Sequence, residues 1–357
     1  MFDFFWVPVF VALASMVAVL LLRPLALRGN LLDRPGGRKR HSGAVPLVGG
    51  IAITVAVWVG AAAFVRVSDY HVALLGGITL LAIVGVLDDL RGMSPLAKLC
   101  AQIFAAILMT SWGGLFLMSL GDLFGKREIV LTNWGIPLTL FAAVAVINAM
   151  NMMDGLDGLA GGLAATMFGW MAFLAGEVGN ITAQRYCIIF LGALLGFLVF
   201  NMPNPLRGNN RVFMGDAGSL MLGLAVVWFA VELSQPVYNY GKHVPPVVML
   251  WVTGILLMDL LSVTIRRALA GRNPLSADRT HLHHMLARLD IHPAGVVWII
   301  IGSNAALGAV GVLAWRYGMT ESALFLSFLL VVAVHVTVMQ YSRYFLRRAR
   351  RWFGRNR

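Results

Sequence analysis

NAMNMMDGLDGLAGG, residues 148–162, holds Asn148, Asn151, Asp154 and Asp157 at intervals of three, with apolar residues on both sides. Only 12% of the chain is charged. A carboxylate taken out of water costs several kcal/mol unless it gains partners. Inside a membrane such a group marks function by default. The stretch is therefore read as the centre of a polar site within an apolar chain.

Composition sets the frame for that reading. The chain has 357 residues, 59% of them hydrophobic, and a mean hydropathy of +0.80. A soluble domain is nearer half apolar, with about a quarter of its residues charged. The fold class expected is an all-α polytopic membrane protein, one integral-membrane domain over 1–357 with a basic tail at 343–357. The net charge of +12 does not indicate a nucleic-acid binder, because the basic residues lie in short segments between apolar runs. Cys100 and Cys187 fall inside apolar runs and read as small buried residues. The run from Phe4 to Leu27 has no basic segment before it and no A-x-A-type cleavage site, so a retained helix is expected.

Eleven apolar segments approach spanning length, near 4–27, 46–66, 72–87, 96–113, 135–152, 159–176, 185–201, 217–234, 246–265, 295–315 and 322–342. With the N-terminus outside, 22 of the 28 Lys and Arg fall in inside loops and six in outside loops. That bias predicts N-terminus out and C-terminus in. Of the outer loops, 114–134 is the longest, and REIVLTNWG within it suggests a small hairpin. The inner loops hold Asp88-Asp89, the 148–162 run, Asp216 and DRTHLHH at 278–284. Scattered structural charges would not sort to one side in this way. An active site on the cytoplasmic face follows.

Each motif supports a chemistry and an alternative. Asp88-Asp89 ends the run GVLDDLRGMSP; adjacent carboxylates repel unless a cation or proton is shared. They are either a helix-end pair facing water or a magnesium-linked or general-base site. Lys98, one turn into the next helix, either snorkels or holds a phosphate as a point charge. Asn148, Asn151 and Asp154 would line one helix face, and such oxygen ligands suit a hard cation. RVFMGDAGS at 211–219 puts Asp216 at the start of an apolar helix, where an anion or an anion-bound metal is favoured. Phe213 is a core residue or a platform for a base, with core the simpler reading. His281, His283 and His284 with Arg279 fit a phosphate clamp better than a zinc site. Taken together, Asp and Asn imply Mg²⁺, and Lys, Arg and His imply phosphate. A site at membrane level implies a lipid substrate. Phosphoryl transfer needs mainly positioning and charge neutralisation. A secondary transporter is the main rival, but it would put its acidic groups near helix centres, and only Asp259 is so placed.

With those residues in hand, the chain resembles the polyprenyl-phosphate N-acetylhexosamine-1-phosphate transferases. RKRHSGAVPLVGG at 38–50, LDD at 87–89, NAMNMMDGLDGL at 148–159, VFMGDAGS at 212–219 and HLHH at 281–284 carry the resemblance, in family order over almost the whole chain. HLHH, PLVGG and the eleven segments make it most similar to the branch acting on undecaprenyl phosphate at the start of O-antigen or common-antigen synthesis. The resemblance implies a Mg²⁺-dependent transfer (Mn²⁺ being an alternative) of GlcNAc-1-phosphate from UDP-GlcNAc to undecaprenyl phosphate. The products would be undecaprenyl-diphospho-GlcNAc and UMP. Another UDP-N-acetylhexosamine is an open alternative. It further implies Asp216 and Asn151 as metal ligands, Phe213 stacked on uracil, and Asp157 with Asp154 and Asn148 on the substrate. Asn201 is carried over less directly. Asp88 would be the base, supported by Asp89, with Lys98 on a phosphate. Arg279, His281, His283 and His284 would hold the sugar-pyrophosphate. The expected location is the bacterial inner membrane, with multiple passes and the site facing the cytoplasm. The partners are the two substrates and the bilayer, a homodimer is an open alternative, and nucleic acid is not expected.

Overall fold

The computed structural model describes residues 2–34, 43–66, 68–239, 241–269, 271, 281–289 and 291–341. Helix α8, Gly215–Ser234, is the axis of the molecule. It carries no charged side chain between Asp216 and Glu232, and 94% of its spanning window is buried. A helix that is apolar all round belongs in the middle of a bundle. Helices α2 (Gly49–Phe64), α3 (Asp69–Arg91), α5 (Gly135–Met153) and α6 (Leu159–Val178) pack directly on it. Helices α1 (Phe2–Arg28) and α7 (Ile181–Asn201) form a second layer against α2 and α6. Helix α13, Glu321–Gln340, is peripheral, with 17% of its window buried and a row of Leu and Val facing outward. In a bilayer such a face meets acyl chains rather than water.

Small residues set how closely α8 is approached. A Cβ on Gly85 of α3 would collide with the backbone of Ala217, and one on Gly50 of α2 with the backbone of Gly218. These two glycines let three helices meet backbone to backbone, the small-residue packing that membrane helices favour.

Among the described residues, nine helices are long and apolar enough to cross a membrane, and ten if a sharply bent pair counts as one span. The expected count of eleven is not reached. The bent pair is α9 (Pro246–Val252) and α10 (Gly254–Leu269), which meet at 82° around Thr253. A break in an apolar interior needs partners for the freed backbone groups. Asn304 of α12 (Pro293–Arg316) supplies them: its Oδ1 accepts from Ile255 N–H at 3.2 Å and its Nδ2 donates to the Val252 carbonyl at 3.2 Å. The remaining expected segment, 46–66, is helical only over Gly49–Phe64. Its 16 residues span about 24 Å at 1.5 Å per residue, short of the ~30 Å hydrocarbon core. Its first residues go instead to a two-stranded ribbon, in which Val45–Pro46 (β2) pairs antiparallel with Leu32–Asp33 (β1).

Loop 114–134 does form a short antiparallel pairing, with a bridge between Ser119 and Val130. Cys187 is buried as expected, but Cys100 is exposed, because α4 (Pro95–Ile107) lies at the rim of the bundle. The tail at 343–357 lies outside the described residues.

Candidate active site

The ends of α3, α4 and α8 meet at Lys98. Helix α4 starts at a Ser94 cap, whose hydroxyl accepts from Ala97 N–H at 3.2 Å, and Lys98 sits in its first turn. The Lys98 ammonium lies 2.8 Å from Asp88 Oδ2 and 3.3 Å from Asp216 Oδ2, so one cation bridges two carboxylates 128 positions apart in sequence. The second oxygen of Asp88 accepts from Met93 N–H at 2.6 Å, which fixes the rotamer. Its neighbour Asp89 points elsewhere and caps α8, accepting from Asp216 N–H at 3.1 Å. A carboxylate is favoured there by the helix dipole and by the orphan N–H groups. Gly215, at φ +72°, makes the turn that opens α8 and leaves room for the Asp89 carboxylate, which a side chain at 215 would meet.

Helix α5 ends at Met153, and the DGLDG turn follows. Gly158 at φ +82° starts α6, its N–H donating to Asn201 Oδ1 at 2.6 Å. Asn201 Nδ2 donates to the Val212 carbonyl at 2.9 Å, so this buried amide fastens the turn to the segment before α8. Phe213 on that segment is tied to the other side. It donates its N–H to Pro46 O and accepts from Gly49 N–H, each at 2.9 Å.

These elements enclose a cavity of about 550 Å³, lined among others by Asp89, Asp154, Asp157, Arg211, Phe213 and Asp216. Arg211 grips Asp157 with two prongs, Nε to Oδ2 at 3.0 Å and Nη2 to Oδ1 at 2.9 Å, and its guanidinium lies 4.7 Å from the centroid of the Phe213 ring. Arg207 adds a contact to Asp157 Oδ2 at 3.3 Å. Asp154 has no such partner. Burial, reinforced by the negative charge of Asp216, Asp89 and Asp157, pushes its carboxyl up to about 8, although the residue keeps some contact with solvent.

Of the anticipated residues, Asp89, Asp154, Asp157, Asn201, Phe213 and Asp216 line this cavity, and Asp88 and Lys98 abut it through Asp216. Asn151 donates to Asp216 Oδ1 and to Ser219 Oγ, both at 2.9 Å. Asn148 does not line the cavity. Its amide exchanges hydrogen bonds with Gln102 of α4, donating to Oε1 at 2.6 Å and accepting from Nε2 at 3.3 Å. Helix α5 is wedged between α4 and α8, so residues three apart on it meet different neighbours, and Asn148, Asn151 and Asp154 do not share one partner surface. The histidines lie beside the cavity rather than in its lining. His283 packs on the DGLDG turn, where a Cβ at Gly155 would come within 2.8 Å of its Nε2. Burial first, and then His284 and His281, push the His283 imidazole down to about 4. Arg279 lies outside the described residues, as do Arg38 to Ser42 of the first motif.

Sequence reasoning passed over Arg207 and Arg211, which it counted only as topology signals, although Arg211 adjoins VFMGDAGS. It also passed over Ser219, Gln102 and His292, the last at the cavity rim.

Most of the site lies within a region that matches a known family: residues 71–234 match glycosyl transferase family 4. A Yersinia pestis protein named undecaprenyl-phosphate alpha-N-acetylglucosaminyl 1-phosphate transferase is 33% identical over 308 residues, 86% of this chain and 83% of that protein. Proteins of the same name from Escherichia coli strain K12 and Haemophilus influenzae are 34% and 32% identical, over 94% and 91% of this chain and 91% and 90% of their own length. The chain belongs to glycosyl transferase family 4. In this family 4 member the matched region carries the Asp88–Lys98–Asp216 bridge, the DGLDG turn and the Phe213 segment, while the HLHH loop lies beyond it.

Whether the residues fit a divalent cation can be tested on the geometry. Among the described residues, no three His, Cys, Asp or Glu side chains are grouped to hold a metal by themselves. Mg²⁺ does not need such a cage, because it binds through one or two carboxylates plus water and substrate phosphates. Asn151 lies beside Asp216, its Nδ2 donating to Asp216 Oδ1 at 2.9 Å, and a turn of that amide would present its oxygen next to the carboxylate. Asp154 lines the same cavity as Asp89, Asp157 and Asp216 without a cationic partner of its own among the described residues, so a cation held there would meet a carboxyl that none of their Lys or Arg already engages. The residues fit.

Proposed function

We propose that the chain transfers GlcNAc-1-phosphate from UDP-GlcNAc to undecaprenyl phosphate, releasing UMP, and so initiates a surface polysaccharide. The observation that carries this reading is the Asp88–Lys98–Asp216 bridge at the edge of a cavity that Arg211 and Phe213 also line. The bridge offers an ammonium to phosphoryl oxygens, and Arg211 with the Phe213 ring offers a cation and an aromatic face to a planar group. The names of the relatives support undecaprenyl phosphate and the N-acetylglucosaminyl 1-phosphate group, and the UDP donor follows from the family resemblance of the motifs.

In this reading an oxygen of the lipid phosphate attacks the β-phosphorus of UDP-GlcNAc. A new P–O bond forms, the bond between the β-phosphorus and the bridging oxygen breaks, and UMP leaves with that electron pair. Lys98 draws the phosphoryl oxygens to the meeting point of α3, α4 and α8 as a point charge. Asp88, fixed by Met93 N–H, faces the incoming phosphate. Its help as a base is modest, because a phosphate monoester with a second pKa near 6 is already largely dianionic at pH 7. Asp216 and Asn151 would hold Mg²⁺, which when bound neutralises the pyrophosphate charge. Phe213 and Arg211 would receive the uridine, with the HLHH loop meeting the sugar-pyrophosphate. The excess of Lys and Arg in loops on the site's side supports a cytoplasmic-facing site in an inner membrane.

Full-length protein in detergent, given UDP-GlcNAc and Mg²⁺, should release UMP only when undecaprenyl phosphate is added. No release under any of these conditions overturns the function. Stoichiometric release without lipid overturns the single displacement in favour of a covalent enzyme.

A further inference from the structure

We propose that Asp259 is a positioning residue that sets the orientation and proton position of the His281 imidazole. The proposal rests on the reading that the HLHH loop meets the sugar-pyrophosphate. Asp259 is the one acidic residue of α10, and it is 2% exposed. Both of its oxygens are spent on the loop. Oδ2 lies 2.7 Å from His281 Nδ1, and Oδ1 accepts from Leu282 N–H at 2.8 Å. Burying a carboxylate this deeply is expensive unless hydrogen bonds replace water. Here the replacements are an imidazole and a backbone amide of a single motif.

A carboxylate only accepts, so the proton in the first bond belongs to Nδ1. Nε2 is then the nitrogen through which the ring acts elsewhere, with its tautomer set by the partner of Nδ1. The same contact orders the loop. His281 is 5% exposed and lies parallel to His283 at 5.9 Å, with 6° between the rings. His283 in turn packs against Gly155 of the DGLDG turn. The base of this relay is rigid. Asp259 sits five residues past the start of α10, and the preceding break is pinned by Asn304, which also donates to Thr166 Oγ1 of α6 at 2.9 Å. A break in a helix thus carries a buried carboxylate to the underside of the histidine loop.

Asp259→Asn is the discriminating change, because it keeps the shape and removes one acceptor. The single amide oxygen serves Leu282 N–H, and the NH₂ group then faces Nδ1, which must turn acceptor. The proton moves to Nε2. In full-length protein with ¹⁵N-labelled histidine rings, the His281 signals, assigned by their loss in His281→Ala, should show that exchange of tautomer. With UDP-GlcNAc and undecaprenyl phosphate, kcat/KM should fall roughly 10- to 100-fold, as for other groups that orient a functional imidazole. The double variant Asp259→Asn/His281→Ala should be no worse than His281→Ala alone. An unchanged His281 spectrum overturns the proposal. So does a double variant whose loss is the product of the two single losses. Full activity in His281→Ala, with the spectral exchange intact in Asp259→Asn, upholds the positioning contact and overturns the assignment of the loop to the reaction. If Asp259→Asn does not fold, Leu282→Pro, which removes the second bond together with the packing of the Leu282 side chain on the core, should leave the His281 tautomer as in the wild type; a changed tautomer there overturns the assignment to Asp259.

Discussion

Arg211 closes on Asp157 in a two-pronged pair, with the shortest nitrogen-to-oxygen approach at 2.7 Å, while the same guanidinium lies over the Phe213 ring. The carboxylate of the DGLDG turn and the aromatic of the α8 segment are thus coupled through one side chain. Arg211→Ala should raise the KM for UDP-GlcNAc roughly 10- to 100-fold, the worth of a hydrogen bond to a charged group. Arg211→Lys should recover little, because a point charge cannot reproduce the fork. Initial rates at varied UDP-GlcNAc and saturating lipid check this, and an unchanged KM removes Arg211 from the nucleotide side.

Lys98 is the cation between Asp88 and Asp216, at 2.8 and 3.3 Å. Lys98→Met should leave these carboxylates facing each other and lower kcat about 10²- to 10³-fold, the usual effect of losing one charge-stabilising group. The stability loss should be small, since all three side chains keep some contact with solvent. Thermal melting with single-turnover kinetics separates the two effects; near wild-type turnover would place Lys98 outside the phosphate site.

Asp154 predicts a pH dependence of stability. Its folded value of about 8 lies above the ordinary 3.8. Below about pH 4 the group is protonated in both states and contributes no difference. As pH rises, the unfolded chain ionises first, so the folded state is progressively disfavoured, and the full penalty is present above pH 8. Asp154→Asn should therefore melt higher than wild type at pH 9 without divalent cation, with the gap closing toward pH 4. A constant gap across that range would contradict the raised value.

Gly85 faces the backbone of Ala217 with no room for a methyl group. Gly85→Ala should push the start of α8 away from α3 and destabilise by about 1–3 kcal/mol, as overpacking does. It should also lower kcat by separating Asp216 from Lys98. Gly76→Ala on the same helix, where a Cβ meets nothing within 4 Å, is the control and should be silent in both measurements.

Much of this site was legible in the chain because local rules bear on it. A carboxylate followed by small residues before an apolar run marks the start of α8, and a Ser-Pro pair before Lys98 marks the start of α4. The spans were harder. Run 246–265 is apolar throughout, and nothing in its hydropathy separates a straight helix from one broken at Thr253, because the groups that satisfy the break come from Asn304 on another helix. Run 46–66 hides a strand for the same reason, as the partners of Val45 and Pro46 are Asp33 and Leu32. Asn148 shows the limit for side chains. Its spacing aligns it with Asn151, yet its partner is Gln102, and only the placing of α4 against α5 decides that. The role of Arg211 was hidden because net charge in a loop is read as topology, while its geometry is set by a turn 54 residues earlier.

The backbone contacts of Gly50 and Gly85 with the first turn of α8 have a mechanical consequence. Helices that touch through side chains can part by changing rotamers; helices that touch through main chain can only slide or stay. The carboxylates at the ends of α3 and α8 therefore sit on a stiff frame whose spacing is fixed before any substrate arrives. Whatever yields to admit a bulky donor, and whatever is altered to accept a different sugar, is left to the DGLDG turn, the Phe213 segment and the histidine loop that surround that frame.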